Sequence, residues 1–233
     1  MNVKISLLAL FSLAVSCVSS SEQQSLYNDP EFKDTLNVYN DGQYELKDGV
    51  VELTSKKNFF FATKKRYTDF ILEYEVKMPD VEEYSNSGVI FRGQVKEGKS
   101  KSIIGYQAEV DPSERAWSGG LYDQGRRGWL YPLHAKRSDR DEDFKESKEP
   151  VWSEAKKKVY KHLEWNKYRV ECRGPEIKIF LNGSLMTHVI DTKSSEGHIA
   201  IQHHGSKKFA KTGKTDNIIK FRNITIQELE LAK

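Results

Sequence analysis

Apolar and polar positions alternate with a period of two along most of the chain beyond Tyr39. The alternating runs are QYELKDGVVEL, NFFFATK, DFILEYEVKM, SGVIFRGQ, IIGYQAEVD, GGLYD, GWLYPL, NKYRVECRG, EIKIFLNGSLMTHVID, GHIAIQHH and NIIKFRNITIQELEL. β-Branched and aromatic residues fill them, and Gly, Pro, Asn or Asp stand at the breaks, so each run predicts a strand. Asp48-Gly49 and Asn182-Gly183 predict tight hairpin turns. Between Lys136 and Glu164 the alternation gives way to charged, helix-compatible sequence. That stretch reads as a long insert with a helical piece, lying at the rim rather than in the core. Many short antiparallel strands with one apolar face predict an all-β fold, a two-sheet antiparallel β-sandwich of the jelly-roll type. No internal repeat is visible, and residues 36–233 read as a single sandwich domain. Where one sheet curves, its concave face becomes a cleft.

The N-terminal segment breaks the pattern. MNVKISLLALFSLAVSC carries Lys4, then an apolar run, then small residues and Cys17. Residues 1–16 therefore read as a signal peptide, too short to remain as a membrane span. LAVSC resembles a bacterial lipobox, with Ala14 standing where Leu is commoner. The resemblance implies cleavage before Cys17, a lipid on its sulfur and a periplasmic or outer-membrane location. The Ser/Gln/Asn-rich residues 17–35 read as a tether. Loss of Cys17 to lipid leaves Cys172 without a disulfide partner; in the strand YRVECRG it reads as a small core residue.

Charge changes the picture only by exclusion. A net charge of +3 does not suggest a nucleic-acid binder. The locally basic KESKEPVWSEAKKKVYKH is interrupted by acids and reads as a solvated face.

The chemistry concentrates in QAEVDPSERAWSGG. On IIGYQAEVD, Ile104, Tyr106, Ala108 and Val110 share the apolar face, and Gln107, Glu109 and Asp111 share the other. Same-face neighbours on a strand lie about 6.5–7 Å apart, so two carboxylates there repel, and one pKa rises unless a cation or metal intervenes. Ordinary surface acids on a solvent-facing strand would show the same pattern. SGVIFRG places Arg92 on a neighbouring strand. WSGGLYDQGRRGWLYP packs Trp117, Tyr122, Asp123, Arg126, Arg127, Trp129 and Tyr131 into a glycine-rich stretch, suited to stacking a sugar and bonding its hydroxyls. IAIQHHG sets Gln202 and His204 on one face.

SGVIFRG, GYQAEVDPSERAWSGGLYDQGRRGWL, WNKYRVECRGPEIKIFLNG, GHIAIQHHG and IKFRNITIQEL, in this order from about Tyr39 to Leu229, resemble the 3-keto-disaccharide hydrolase domain family. The resemblance implies a concanavalin-like jelly roll and action on glycosides oxidised to a 3-ketone. The expected route is removal of the C2 proton, elimination of the aglycone and hydration. Glu109, Asp111 and His204 are then candidate bases or metal ligands. Arg92 is the candidate oxyanion or hydroxyl donor. Gln107, Trp117, Tyr122, Asp123, Arg126, Arg127 and Gln202 are the candidate sugar contacts. A divalent metal could replace Arg92 as Lewis acid, although the spacing is no metal motif. Two other readings stay open. One is a non-catalytic carbohydrate-binding protein. The other is a laminarinase-type retaining glucanase, whose E-x-D-x-x-E spacing matches Glu109, Asp111 and Glu114. Pro112 opposes the second, because it ends the strand before Glu114.

Overall fold

The computed structural model describes residues 22–38, 42–97, 102–149 and 151–230. The signal segment and Cys17 lie outside the described residues. The strands are β1 (Gln24–Ser25), β2 (Thr35–Val38), β3 (Gly42–Lys47), β4 (Val50–Ser55), β5 (Phe59–Tyr67), β6 (Phe70–Lys77), β7 (Ser87–Lys96) and β8 (Ser102–Val110). They continue with β9 (Leu121–Gln124), β10 (Gly128–Tyr131), β11 (Phe144–Ser147), β12 (Asn166–Arg173), β13 (Glu176–Leu181), β14 (Ser184–Asp191), β15 (Gly197–His203) and β16 (Ile219–Glu228). Two short helices complete the fold, α1 (Glu154–Lys157) and α2 (Lys207–Thr212).

The strands form two antiparallel sheets. The first runs β11-β14-β13-β12-β6-β16-β4-β3, with β1 on β16; the second runs β10-β9-β8-β7-β15-β5-β2. The expected sandwich is therefore the fold. Alternation drives it: Phe70, Leu72, Tyr74 and Val76 of β6 all point inward, as do Tyr168, Val170 and Cys172 of β12. They meet Val89, Phe91, Tyr106, Ala108 and Val110 of the second sheet in one core. Each Val, Leu and Phe among them contributes about 1.5–3 kcal/mol on burial. Cys172 is part of this core, and burial pushes its thiol up to about 12, far from reactive.

The second sheet is covered on part of its outer face too. Val38, Phe60, Ala62, Ile90, Ile103 and Ala200 form a smaller apolar cluster there. The polar residues lie beside it on the same face. This juxtaposition places the site.

Three expectations need correction. Residues 22–35 are not a free tether. β1 pairs with β16, Tyr27 and Phe32 are buried in the core, and the Tyr27 hydroxyl donates to the Phe61 carbonyl (2.8 Å). Two aromatics within a polar stretch were enough to dock it. The 136–164 insert is more ordered than a loop: β11 pairs with β14 at the edge of the first sheet, and the helical piece is the single turn α1, capped by Ser153.

The third concerns Arg92. Its φ of +49° and a register shift between Phe91 and Gln94 mark a bulge. A bulge breaks alternation. The side chain therefore leaves the outer face, where Gly88 and Ile90 point, and is almost wholly buried. Its Nε donates to the Thr68 carbonyl (3.0 Å), Nη1 to the carbonyls of Gly174 (2.7 Å) and Ser194 (3.2 Å), and Nη2 to Asp69 Oδ1 (2.9 Å). Arg92 staples turns of both sheets and is not available to a substrate. Arg92→Met should lower the unfolding free energy by about 3–5 kcal/mol in urea denaturation, since it strands buried acceptors and Asp69. A loss below about 1 kcal/mol would show that the staple carries little.

Candidate functional site

Outward-facing residues of β15, β7, β8, β9 and β10 meet on the open face of the second sheet. Gly88 pairs with Glu109, Tyr122 with Gln107, and Trp129 with Tyr122. They enclose a pocket of about 100 Å³ whose other walls include Asn58, Asn86, Gln202 and His204.

Glu109 lies at its floor, 5% exposed. Its backbone is held from three sides. Its N–H donates to the Gly120 carbonyl (3.0 Å), and its carbonyl accepts from Gly119 N–H (2.9 Å) and from the Tyr168 hydroxyl of the opposite sheet (2.9 Å). Asn86 Nδ2 donates to Oε1 (2.8 Å), and Gln107 Nε2 donates to Oε2 (3.0 Å). Gln107 Nε2 also donates to Gln202 Oε1 (2.9 Å), and Gln202 Nε2 to Asn58 Oδ1 (2.9 Å). The result is a chain of four side chains ending in one carboxyl. Gly88 makes room for it: a Cβ there would stand 2.4 Å from Gln107 Nε2 and 2.7 Å from its Cγ.

Burial raises the Glu109 pKa to about 7; the nearby Asp111 charge adds to this, while the Asn86 hydrogen bond, Arg115 and Arg137 oppose it. The carboxyl is thus poised to exchange a proton near neutrality.

Other pocket groups have spare capacity. Gln107 Oε1 and Trp129 Nε1 are buried without a hydrogen-bond partner. One accepts and the other donates, as a hydroxyl-rich ligand requires. Tyr84 is 54% exposed at the mouth, with its ring edge-on to His204 at 5.5 Å. Partial desolvation holds the His204 imidazole below the usual histidine range. Arg137 lines the pocket and, among the described residues, its guanidinium has no hydrogen bond or ion pair.

Of the residues expected from sequence, Glu109, Gln107, Tyr122, Gln202 and His204 converge here. Asp111 does not reach the pocket. The strand ends at Val110, and the Asp111 carboxylate accepts from Ser113 (2.6 Å) and from Arg115 Nε (2.7 Å). It aims Arg115, which lines the pocket and whose guanidinium lies over the rings of Trp117 (5.1 Å) and Trp129 (5.0 Å). Trp117 stands behind Trp129, edge to face at 4.7 Å. Glu114, on the far side of Pro112, is exposed and outside the pocket.

Asp123, Arg126 and Arg127 are not sugar contacts in this geometry. Tyr122 faces out, so Asp123 faces in. It accepts from Arg126 Nε (2.7 Å) and Arg127 Nε (2.6 Å), and Arg127 also pairs with Asp191 (2.9 Å) and Asp141 (2.7 Å). This is a buried ion network apart from the pocket. Asn58, Asn86, Tyr84, Arg115, Gln124 and Arg137 were not expected as site residues, and Trp129 was expected only as part of the glycine-rich aromatic stretch. Asn86-Ser87-Gly88 reads as a turn and Trp129 as one aromatic among several, and neither sequence shows the pairing that brings them to Glu109. Among the described residues no three His, Cys, Asp or Glu side chains converge as metal ligands.

Two tests follow from this geometry. Gly88→Ala should push Gln107 off the chain and weaken binding of any pocket ligand at least tenfold in calorimetry, with the fold intact by circular dichroism. Unchanged affinity would mean that the amide chain does not shape the site. The second test is pH. The unfolded Glu109 loses its proton near 4.5 and the folded one near 7. The folded state therefore binds more protons between those values, and stability falls as pH rises through that window, by about 2–3 kcal/mol. Glu109→Gln should flatten that slope when urea denaturation is compared at pH 5 and pH 8.

Solved structures share the two-sheet fold. A crystal structure of a candidate glycosyl hydrolase from Parabacteroides distasonis has a TM-score of 0.54 and 20% identity, covering 89% of this chain and 100% of its own. A carbohydrate-binding module from Bacillus subtilis has a TM-score of 0.54 and 17% identity, with 84% and 96% covered. A Bacillus subtilis protein of unknown function with a galectin-like fold has a TM-score of 0.55 and 10% identity, with 91% and 97% covered. At these identities the likeness shows the fold alone. No curated protein matches the sequence. The family model of the 3-keto-alpha-glucoside-1,2-lyase-like domain matches residues 22–227, nearly everything described, and the chain belongs to that family.

Proposed function

We propose that the chain cleaves glycosides whose sugar carries a 3-ketone, with Glu109 as the base. The observation that carries this reading is the single carboxyl among the pocket-lining residues, buried, held by two amide donors and raised to about 7. A 3-ketone acidifies the C2 proton. Glu109 takes that proton, and the electron pair moves into an enolate whose charge sits on the C3 oxygen. Arg137, whose guanidinium has no hydrogen bond or ion pair among the described residues, and Arg115 supply positive charge at the pocket. The enolate then collapses, a C1=C2 bond forms, and the C1–O bond to the aglycone breaks. The departing oxygen takes a proton, which Glu109 now carries and returns to it. Water adds across the double bond, oxygen to C1 and hydrogen to C2, to release the free 3-keto sugar. Gln107 Oε1 and Trp129 Nε1 bind hydroxyls, and Tyr84 and Tyr122 give the ring flat surfaces. Export and a lipid on Cys17 would place this chemistry outside the cytoplasm.

A non-catalytic sugar-binding role is the second reading. It is favoured by the fact that both Glu109 oxygens already accept hydrogen bonds. Turnover separates the two. Purified mature protein should release aglycone from a 3-keto-glucoside and not from the unoxidised glucoside. Glu109→Gln should lower kcat about 10²–10⁴-fold. Because the base must be ionised, kcat/KM should climb with pH through about 7 and level above it. A chelator arm tests for a metal. Binding of both glucosides with turnover of neither would establish the second reading.

A further inference from the structure

We infer that the groove beyond the Trp117–Trp129 wall is the leaving-group subsite and that it takes a flat aryl aglycone; this rests on the glycoside-cleaving reading. The sugar pocket holds only about 100 Å³, so whatever is attached at C1 must pass over its rim. On the Trp129 side the rim borders a second concavity of about 460 Å³. The two share a wall, because the Trp129 ring lines the first, the Trp117 ring lines the second, and Arg115 stacks on both. Trp117 thereby acquires a role that the sugar pocket does not give it.

The chemistry of the groove differs from that of the pocket. Trp117, Tyr131 and Trp152 supply rings, with Tyr131 and Trp152 packed at 5.7 Å. Leu133 and Val151 line the same groove and are 60% and 67% exposed, so apolar surface is grouped there rather than scattered. Several of its polar groups are engaged within the protein. Trp152 Nε1 donates to the Ala116 carbonyl (3.0 Å), Arg140 Nε to the Leu130 carbonyl (2.9 Å), and Ser147 Oγ to the Glu149 carbonyl (2.9 Å). The Glu149 carboxylate accepts from Lys156 Nζ (2.7 Å). A second pyranose would bring many hydroxyls to a surface whose middle is made of rings. An aromatic ring needs only area and edges, which it has. The insert supplies Val151 and Trp152 and so gains a function in specificity.

The test compares phenyl and methyl 3-keto-glucosides. In the double variant Leu133→Ser/Val151→Ser, and separately in Trp152→Ala, KM for the phenyl substrate should rise roughly tenfold, the loss of about one buried apolar contact surface. KM for the methyl substrate should stay within about twofold. The exposed pair leaves the fold untouched should Trp152→Ala unfold. Equal shifts for both substrates, or none, would overturn the subsite. If the wild type turns over neither substrate, the glycoside-cleaving reading fails by itself. Calorimetry then judges the groove with unoxidised phenyl and methyl glucosides: tighter phenyl binding that the double variant abolishes supports it, and equal affinities refute it.

Discussion

A carboxyl group taken out of water is the constraint around which the site is built. An isolated ionised Glu109 would be costly at 5% exposure, so the group shifts toward its protonated form and the fold supplies donors for the charge it does carry. The donors are amides rather than cations. Asn86 and Gln107 hold the two oxygens without the full compensation that a direct ion pair would give, which would drive the pKa back down. The guanidinium that could have done so, Arg115, is instead drawn away by Asp111. Asp111 thus serves Glu109 twice, by adding negative charge nearby and by occupying the competing cation.

Holding such a group requires rigidity, and the sandwich provides it. The Glu109 carbonyl is pinned by Tyr168, which stacks on Tyr74 at 5.0 Å within the core. Ser87 ties β7 to β15 through the Gln202 carbonyl (2.7 Å), fixing the strand that carries the next amide. Gly88 between them is bare because the Gln107 side chain lies across it. The site is therefore a property of three adjacent strands in register, and a slip by one residue would turn every member inward.

How much of this was legible follows from which rules are local. Period-two alternation and the Asp-Gly and Asn-Gly turns located the major strands, and the faces of β8 came out as read: Tyr106, Ala108 and Val110 inward, Gln107 and Glu109 outward. Alternation failed where a bulge intervenes. Arg92 should share the face of Gly88 and Ile90, and one residue at positive φ sends it to the interior. It also misled at Asp123, Arg126 and Arg127, where a cluster of charges beside glycines looked like a binding surface and is a buried ion network. Asn86, Arg115 and Arg137 were invisible for another reason. Each reaches the pocket from outside the strands, and loop geometry is not periodic.

The same comparison explains why the aromatic segment divides as it does. Tyr122 and Trp129 are cross-strand neighbours on the open face, so they belong to the pocket. Trp117 precedes the strand, in the loop that Asp111 and Ser118 close on each other, and can only reach the pocket through Trp129. Two rings in edge-to-face contact, with one guanidinium over both, make a partition that is apolar on each side yet anchored to a buried carboxylate. A partition of that kind separates a polar chamber from an aromatic one while keeping them contiguous. A ligand with one polar and one flat apolar half would use both, and the Asp111–Arg115 pair would then set the distance between them.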